Sequence, residues 1–172
     1  MTSPPTAFDK WFDRLFVEHG AALRRLAAAY SRSTADADDL FQDVCLAIWR
    51  ALPRFRGGCS DRTFVFRIAH NRGITHRTRA RWRREEAIDE TAVPDPSPDP
   101  AAIADTRGQR ERLVSAIRLL PVAFRDVVTL SLEGLSNQEI ADILGMSYSN
   151  VGVRLTRARK LLKQHLERTG GL

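Results

Sequence analysis

Cysteine is nearly absent from this 172-residue chain, and the two present, Cys45 and Cys59, stand in neither a CxxC pair nor a Cys/His pattern at zinc spacing. That excludes a disulfide scaffold and a structural zinc site, and it leaves two free thiols of a reducing compartment. Histidine is as sparse: His19, His70, His76 and His165 lie apart in the chain, with no Gly-rich phosphate loop and no Ser/His/Asp arrangement. No constellation for chemistry results, so neither an enzyme, nor a cofactor, nor a small-molecule substrate is expected. No run approaches the ~20 apolar residues that cross a bilayer. Met1–Ala7 is polar and proline-bearing, with no apolar stretch behind it to act as a secretory leader. A cytoplasmic protein without membrane insertion is the expectation.

Acid, too, is missing from one long stretch: none occurs between Asp61 and Glu85, where eight arginines fall (Arg62, Arg67, Arg72, Arg77, Arg79, Arg81, Arg83 and Arg84). A merely soluble helix would mix signs, to gain pairs at i,i+4 and avoid self-repulsion. With 27 basic against 21 acidic residues the net charge is +6, and its uneven placement points to an acidic partner, most simply nucleic acid. A solvated basic face is the bland alternative.

The stretch Leu135–Leu166 reads as a complete helix-turn-helix. Ser136-Asn137-Gln138-Glu139 is a capping box, with Leu135 and Ile140 placed to close a hydrophobic staple. The helix Asn137–Leu144 is short, and Gly145 stands where a left-handed cap is needed. Ser147 then caps a second helix on which Val151, Leu155, Ala158 and Leu162 share one stripe, while Arg154, Arg157, Lys160 and Lys163 flank it. One packed face and one cationic face are what a recognition helix requires.

The rest of the chain is helical by pattern. Phe8, Trp11, Phe12, Leu15 and Phe16, then Leu23, Leu26, Ala27 and Tyr30 after Gly20, predict two helices or one interrupted helix with an aromatic-rich buried face. Ser33-Thr34 opens Ala35–Leu52, whose stripe is Ala37, Leu40, Phe41, Val44, Cys45, Ile48 and Leu52. Asp36 and Asp38 suit the positive end of the helix dipole, but Asp39, Gln42 and Asp43 carry the polar surface beyond it. Pro53–Gly58 makes an exposed loop. The arginine-rich helix follows over about 62–84, with Phe64, Val65, Ile68, Ala69 and Ile74 as its packed side. From Glu85 to Arg107, seven carboxylates and four prolines oppose one arginine, which predicts an extended acidic linker lying near the basic elements. Leu113, Val114, Ile117 and Leu120 then give one helix. Pro121 starts another, striped by Phe124, Val127, Val128 and Leu132 up to Gly134. The fold class is all-α, with two small helical domains (1–84 and 108–172) joined by the flexible linker 85–107.

Three stretches together resemble a bacterial sigma factor of the extracytoplasmic-function (ECF) group. They are Asp36-Ala37-Asp38-Asp39-Leu40-Phe41-Gln42-Asp43, then Phe66-Arg67-Ile68-Ala69-His70-Asn71, and Leu135–Leu162 with its Arg154-Leu155-Thr156-Arg157-Ala158-Arg159-Lys160 end. The resemblance implies an alternative sigma factor that binds core RNA polymerase and directs promoter-specific initiation. It implies that Asp39, Gln42, Asp43 and Trp49 contact the β′ clamp helices. It implies that Arg56, Arg62, Arg67, Asn71, Arg72, Arg77 and Arg79 serve the −10 element, and that Ser149, Asn150, Val153, Arg154, Arg157 and Lys160 read the −35 element. An anti-sigma factor is the further implied partner. The chain departs from the family pattern at Gly152 and Val153, where a basic residue and a serine are usual, and at Phe64-Val65-Phe66, where a tryptophan is usual. The rival reading is a stand-alone helix-turn-helix regulator, for which the Asp39/Gln42/Asp43 face would be mere solvated surface.

Overall fold

Four of the helices begin where a serine side chain satisfies a backbone donor. In the computed structural model, which describes residues 7–86 and 105–169, the elements are α1 (Ala7–Tyr30), α2 (Thr34–Ala51) and a short 3-10 turn (Leu52–Arg54), then α3 (Asp61–Glu86), α4 (Asp105–Leu119), α5 (Val122–Leu132), α6 (Asn137–Leu144) and α7 (Tyr148–Thr169). The Ser33 hydroxyl accepts from the Asp36 N–H at the start of α2, and Ser60 accepts from the Thr63 N–H (3.0 Å) before α3. The chain is all-α, as its periodicity predicts, and among the described residues no helix is long and apolar enough to cross a membrane.

Helices α1, α2 and α3 pack on one another, and α4 to α7 form a second group. The first aromatic-rich stretch is a single helix, uninterrupted at Gly20. A glycine inside a helix costs roughly 1 kcal/mol against alanine, and burial of Leu15, Leu23, Leu26, Ala27 and Tyr30 on either side of it outweighs that cost at ~1.5–3 kcal/mol per large apolar side chain. The packed side of α3 also differs from expectation. Val65, Phe66 and Ala69 are buried, joined by His70, while Ile74 is 39% exposed and Phe64 and Ile68 are half-buried. Arginines spread around the helix blur the apolar period there, so the stripe was misplaced by part of a turn. Likewise Val114 and Leu132 face solvent, and Ala116 and Leu130 take the inner places.

The linker expected over 85–107 lies mostly outside the described residues; Glu85 and Glu86 belong to α3, and Asp105, Thr106 and Arg107 to α4. The two groups of helices meet directly. Helix α6 rests on α3 and α5 approaches α1, so the buried side chains from Leu15 to Ala158 form one continuous cluster.

Near that junction the Tyr30 hydroxyl and His70 Nδ1 share a 2.6 Å hydrogen bond. Tyr30 lies flat against Gly73, where a Cβ would come within 2.5 Å of the ring; only glycine allows this approach. Burial lowers the His70 pKa below 6.5, with Arg77 adding to the effect and Asp126 opposing it; burial likewise lowers that of His19. The unfolded chain therefore takes up protons that the native chain refuses as pH falls through 6.5, and stability must fall with it. Urea midpoints are expected to drop between pH 7.5 and 5.5, with a shallower slope for His70→Gln. Equal slopes in the two proteins would show that His70 is not the linked group.

Candidate nucleic-acid and protein interfaces

Side chains on α2 sort cleanly by face. Leu40, Val44, Ala47 and Ile48 are buried, and the opposite side carries Asp39, Gln42, Asp43 and Trp49, all exposed. Leu46, 53% exposed in the middle of this acidic stripe, belongs to the same surface, whereas the sequence pattern assigns it to neither face. Its spacing from Gln42 and Asp43 was the available signal. Trp49 is 39% exposed and is braced by the edges of Phe8 and Phe12, at 4.8 and 5.0 Å between ring centroids. An acidic stripe with an apolar centre and a braced tryptophan has the composition of a protein-docking surface.

Around the corner of α2 lies an open cleft of about 620 Å³. It is built from the end of α2, the 3-10 turn, the loop before α3 and one side of α3. Arg50, Arg54, Arg56, Arg67 and Arg72 line it with Phe55, Phe64 and Cys59, and no carboxylate is among the lining residues. The two phenylalanine rings stack at 4.3 Å, tilted by 34°. Tethering fixes the floor: Trp11 Nε1 and Arg14 Nη2 both donate to the Asp61 carboxylate, each at 3.1 Å, and hold the first turn of α3 to α1. Arginines around stacked rings suit an extruded base and its flanking phosphates. Arg56, Arg67 and Arg72, three of the seven residues that the resemblance assigns to the −10 element, come together here. Arg50 was overlooked, being the last-turn basic residue of a helix otherwise read as acidic.

Arg62 and Arg77 are not in the cleft. They leave α3 on another side and face the second group of helices: Arg62 Nη2 donates to the Glu133 carbonyl (2.6 Å), and Arg77 pairs with Asp126. The view that the arginine helix must find its counter-charge outside the chain is thus corrected for Arg77, while Arg62 is held by a carbonyl and not by a charge. Asn71 and Arg79 are exposed, and Arg72 lies 3.7 Å from Asp43.

The third surface is α7. Both halves of the capping box form: the Glu139 N–H donates to Ser136 Oγ (3.2 Å) and the Ser136 N–H to Glu139 Oε2 (2.8 Å). Gly145 is left-handed at φ +64, and Ser147 Oγ accepts from the Asn150 N–H at 3.3 Å. Val151, Leu155 and Ala158 are buried. Ser149, Asn150, Val153, Arg157 and Lys160 stand exposed, with Arg154 half-buried among them. Arg154 Nε donates to Asn150 Oδ1 (3.2 Å), which fixes the two side chains relative to each other. Tyr148, 59% exposed at the helix start, adds a side chain the sequence did not single out.

Two family models match in chain order, "Sigma-70 region 2" over residues 15–83 and "Sigma-70, region 4" over 110–162. The ECF RNA polymerase sigma factor SigM of Mycobacterium tuberculosis is 33% identical over 90% of this chain and 76% of its own length. This chain is an ECF sigma factor. The sigma factor CnrH of Cupriavidus metallidurans is 31% identical over 91% of this chain and 86% of its own. The solved structure of CnrH with the cytosolic domain of CnrY aligns at a TM-score of 0.68, covering 91% of this chain and 88% of that one at 29% identity. RpoE of Bartonella quintana, solved with the anti-sigma factor NepR, aligns at 0.75, covering 92% and 98% at 25% identity. As an alternative sigma factor the protein directs promoter-specific transcription, and sigma factors are initiation factors rather than catalysts. A stand-alone regulator has no support, since the region 2 match takes in the half of the chain outside the helix-turn-helix.

On α7 of this ECF sigma factor, Gly152 stands where the resemblance leads one to expect a basic residue. A Cβ there would meet nothing within 4 Å, so a longer side chain fits. Gly152→Arg is expected to tighten binding to random-sequence duplex DNA and to steepen the log–log salt slope by about one unit, the value for one added phosphate contact. Weaker binding would mean instead that the groove needs a close backbone approach at that point.

Proposed function

We propose that this sigma factor divides its work among the three surfaces. Residues 1–84 act as a domain that docks on core polymerase and opens the −10 element, 85–107 as the connecting linker, and 108–172 as the −35 reader. Asp39, Gln42, Asp43 and Trp49, with Leu46 at their centre, meet the β′ clamp helices, where carboxylates opposite basic groups orient docking. Arg56, Arg67 and Arg72 hold the non-template strand while Phe55 and Phe64 offer rings to its bases; Asn71 and Arg79 extend that track, and Arg62 and Arg77 join it when free. Ser149, Asn150, Val153, Arg154, Arg157 and Lys160 enter the major groove, where Val153 can meet a thymine methyl. The protein works in the cytoplasm, and an anti-sigma factor is its partner in the inactive state, in keeping with the anti-sigma complexes of two solved relatives.

The observation that carries this reading is the cleft, in which five arginines and two stacked rings converge without one lining carboxylate. Run-off transcription with core polymerase on a promoter library, with and without the protein, tests it. Discrete sigma-dependent transcripts are expected. Their absence, with core binding intact, would refute the assignment of the promoter-reading surfaces.

A further inference from the structure

Behind the stacked rings of the cleft stands a residue that takes no part in lining it. Trp11 on α1 meets the Phe55 ring at 5.9 Å between centroids, tilted by 40°, yet is not among the lining residues. Its indole N–H donates to Asp61 Oδ2 (3.1 Å), and Arg14, one turn further along α1, donates to the same oxygen (3.1 Å). Two donors from α1 thus converge on one carboxylate oxygen at the first residue of α3, where the helix dipole also favours the charge. The hydrogen bond fixes which way the half-buried indole turns, and so where its ring meets Phe55.

The loop that carries Phe55 is held at few points. Arg54, Arg56, Gly57, Gly58 and Ser60 are exposed, while Phe55 and Cys59 are half-buried. Gly57 is left-handed at φ +74, and a Cβ at Gly57 or Gly58 would meet nothing within 4 Å. Backbone bonds secure the two ends: the Phe55 N–H donates to the Leu52 carbonyl (3.1 Å), and Ser60 caps α3. Phe55 is the one large apolar side chain between them, and it touches two aromatic rings, Phe64 in the cleft and Trp11 behind it.

We infer that Trp11 is a positioning residue for promoter opening: held by Asp61, it sets the Phe55 ring against the cleft, and with it the loop on which Arg54 and Arg56 ride. The inference deepens the reading of Phe55 as a platform for the melted strand, and rests on it. Trp11 stands ahead of the region 2 match, which begins at residue 15, so its contacts alone assign it this part. Ordering a loose loop at the moment of strand capture costs free energy that a loop already ordered does not. Trp11 therefore favours the open complex without touching DNA.

The test uses the full chain, free and in the holoenzyme, with Trp11→Leu, which keeps an apolar side chain but neither the ring contact nor the indole donor. In the free protein, trypsin cleavage after Arg54 and Arg56, followed by mass spectrometry, reads the order of the loop. Cleavage is expected to quicken about tenfold, the factor for one aromatic contact and its hydrogen bond; unchanged cleavage overturns the positioning. In the holoenzyme, 2-aminopurine in the −10 region of a promoter identified by run-off reads opening. Opening is expected to fall about tenfold while affinity for core stays at the wild-type value. An equal loss of core affinity overturns the inference, because Trp11 would then merely support α1 as a whole. A double-mutant cycle with Phe55→Leu shows whether Trp11 acts through that ring. No further loss is expected when Trp11→Leu is added to Phe55→Leu, and losses that multiply overturn the inference. Should Trp11→Leu lower the urea midpoint, Trp11→Phe, which keeps a ring and lacks the indole donor, takes its place; faster cleavage is again expected, and wild-type cleavage overturns the part given to Asp61. Phe55→Leu alone judges the platform reading separately. Full opening by that variant would sink the platform while leaving the tethered loop, as trypsin reads it, intact.

Discussion

With Asp39 and Asp43 both replaced by arginine, this sigma factor is expected to bind core RNA polymerase about a thousandfold more weakly, since each reversal sets like charges together at a cost of ~2 kcal/mol or more and every ~1.4 kcal/mol is tenfold. The folded protein should hardly notice. Both residues are exposed on α2, and the single ion pair lost, Asp43 with Arg72, spans 3.7 Å between half-exposed groups, where such pairs contribute ~0–1 kcal/mol. Asp39 lies beyond the first turn of its helix, so the dipole term is small there. A melting temperature within about 2 °C of wild type is therefore expected. Leu46→Ala should weaken the docking further without new charge, because an apolar centre excludes water from the surrounding pairs. Unchanged affinity in the doubly substituted, still-helical protein would remove α2 from the polymerase interface.

Much of this was legible beforehand, for physical reasons that differ by element. The helix-turn-helix could be placed to the residue because its ends are written in chemistry: a capping box needs Ser136 and Glu139 three apart, and the left-handed turn needs Gly145. The acidic stripe was legible through excess, since Asp39 and Asp43 lie past the reach of the dipole that would otherwise explain them. Helix α3 was read correctly as a helix but wrongly as a surface. Its arginines share a charge and not a destination: Arg67 and Arg72 turn to the cleft, and Arg62 and Arg77 to α5. No local pattern separates the two sets, because Arg77 meets Asp126 across 49 positions. Gly73 was equally opaque, since its reason is a ring 43 positions earlier in the chain, Tyr30.

Replacing Arg67 is expected to leave core binding intact and to cost roughly ten- to a hundredfold in promoter opening, the span of a lost charge-assisted hydrogen bond at ~1.5–3 kcal/mol. Among the described residues its Nε is enclosed without a hydrogen-bond partner, and a buried donor left so costs ~1–3 kcal/mol. The neighbours cannot relieve it, because the polar side chains lining the cleft include four more arginines and no carboxylate, and guanidinium groups donate without accepting. The acceptor that fits must enter from outside, and a phosphate or base oxygen meets that need. Arg67→Ala removes the unsatisfied donor together with its charge, so the variant should unfold at a urea concentration no lower than wild type while losing function. Arg67→Lys keeps the charge but not the planar fork, and discriminates further. If the residue supplied only positive potential, lysine would restore opening; a fork aimed at one acceptor predicts that it does not. Fluorescence of 2-aminopurine in the −10 region of a promoter identified by run-off, measured with the reconstituted holoenzyme, reads the step directly. Wild-type opening by Arg67→Ala would show that the cleft floor holds no part of the melted strand.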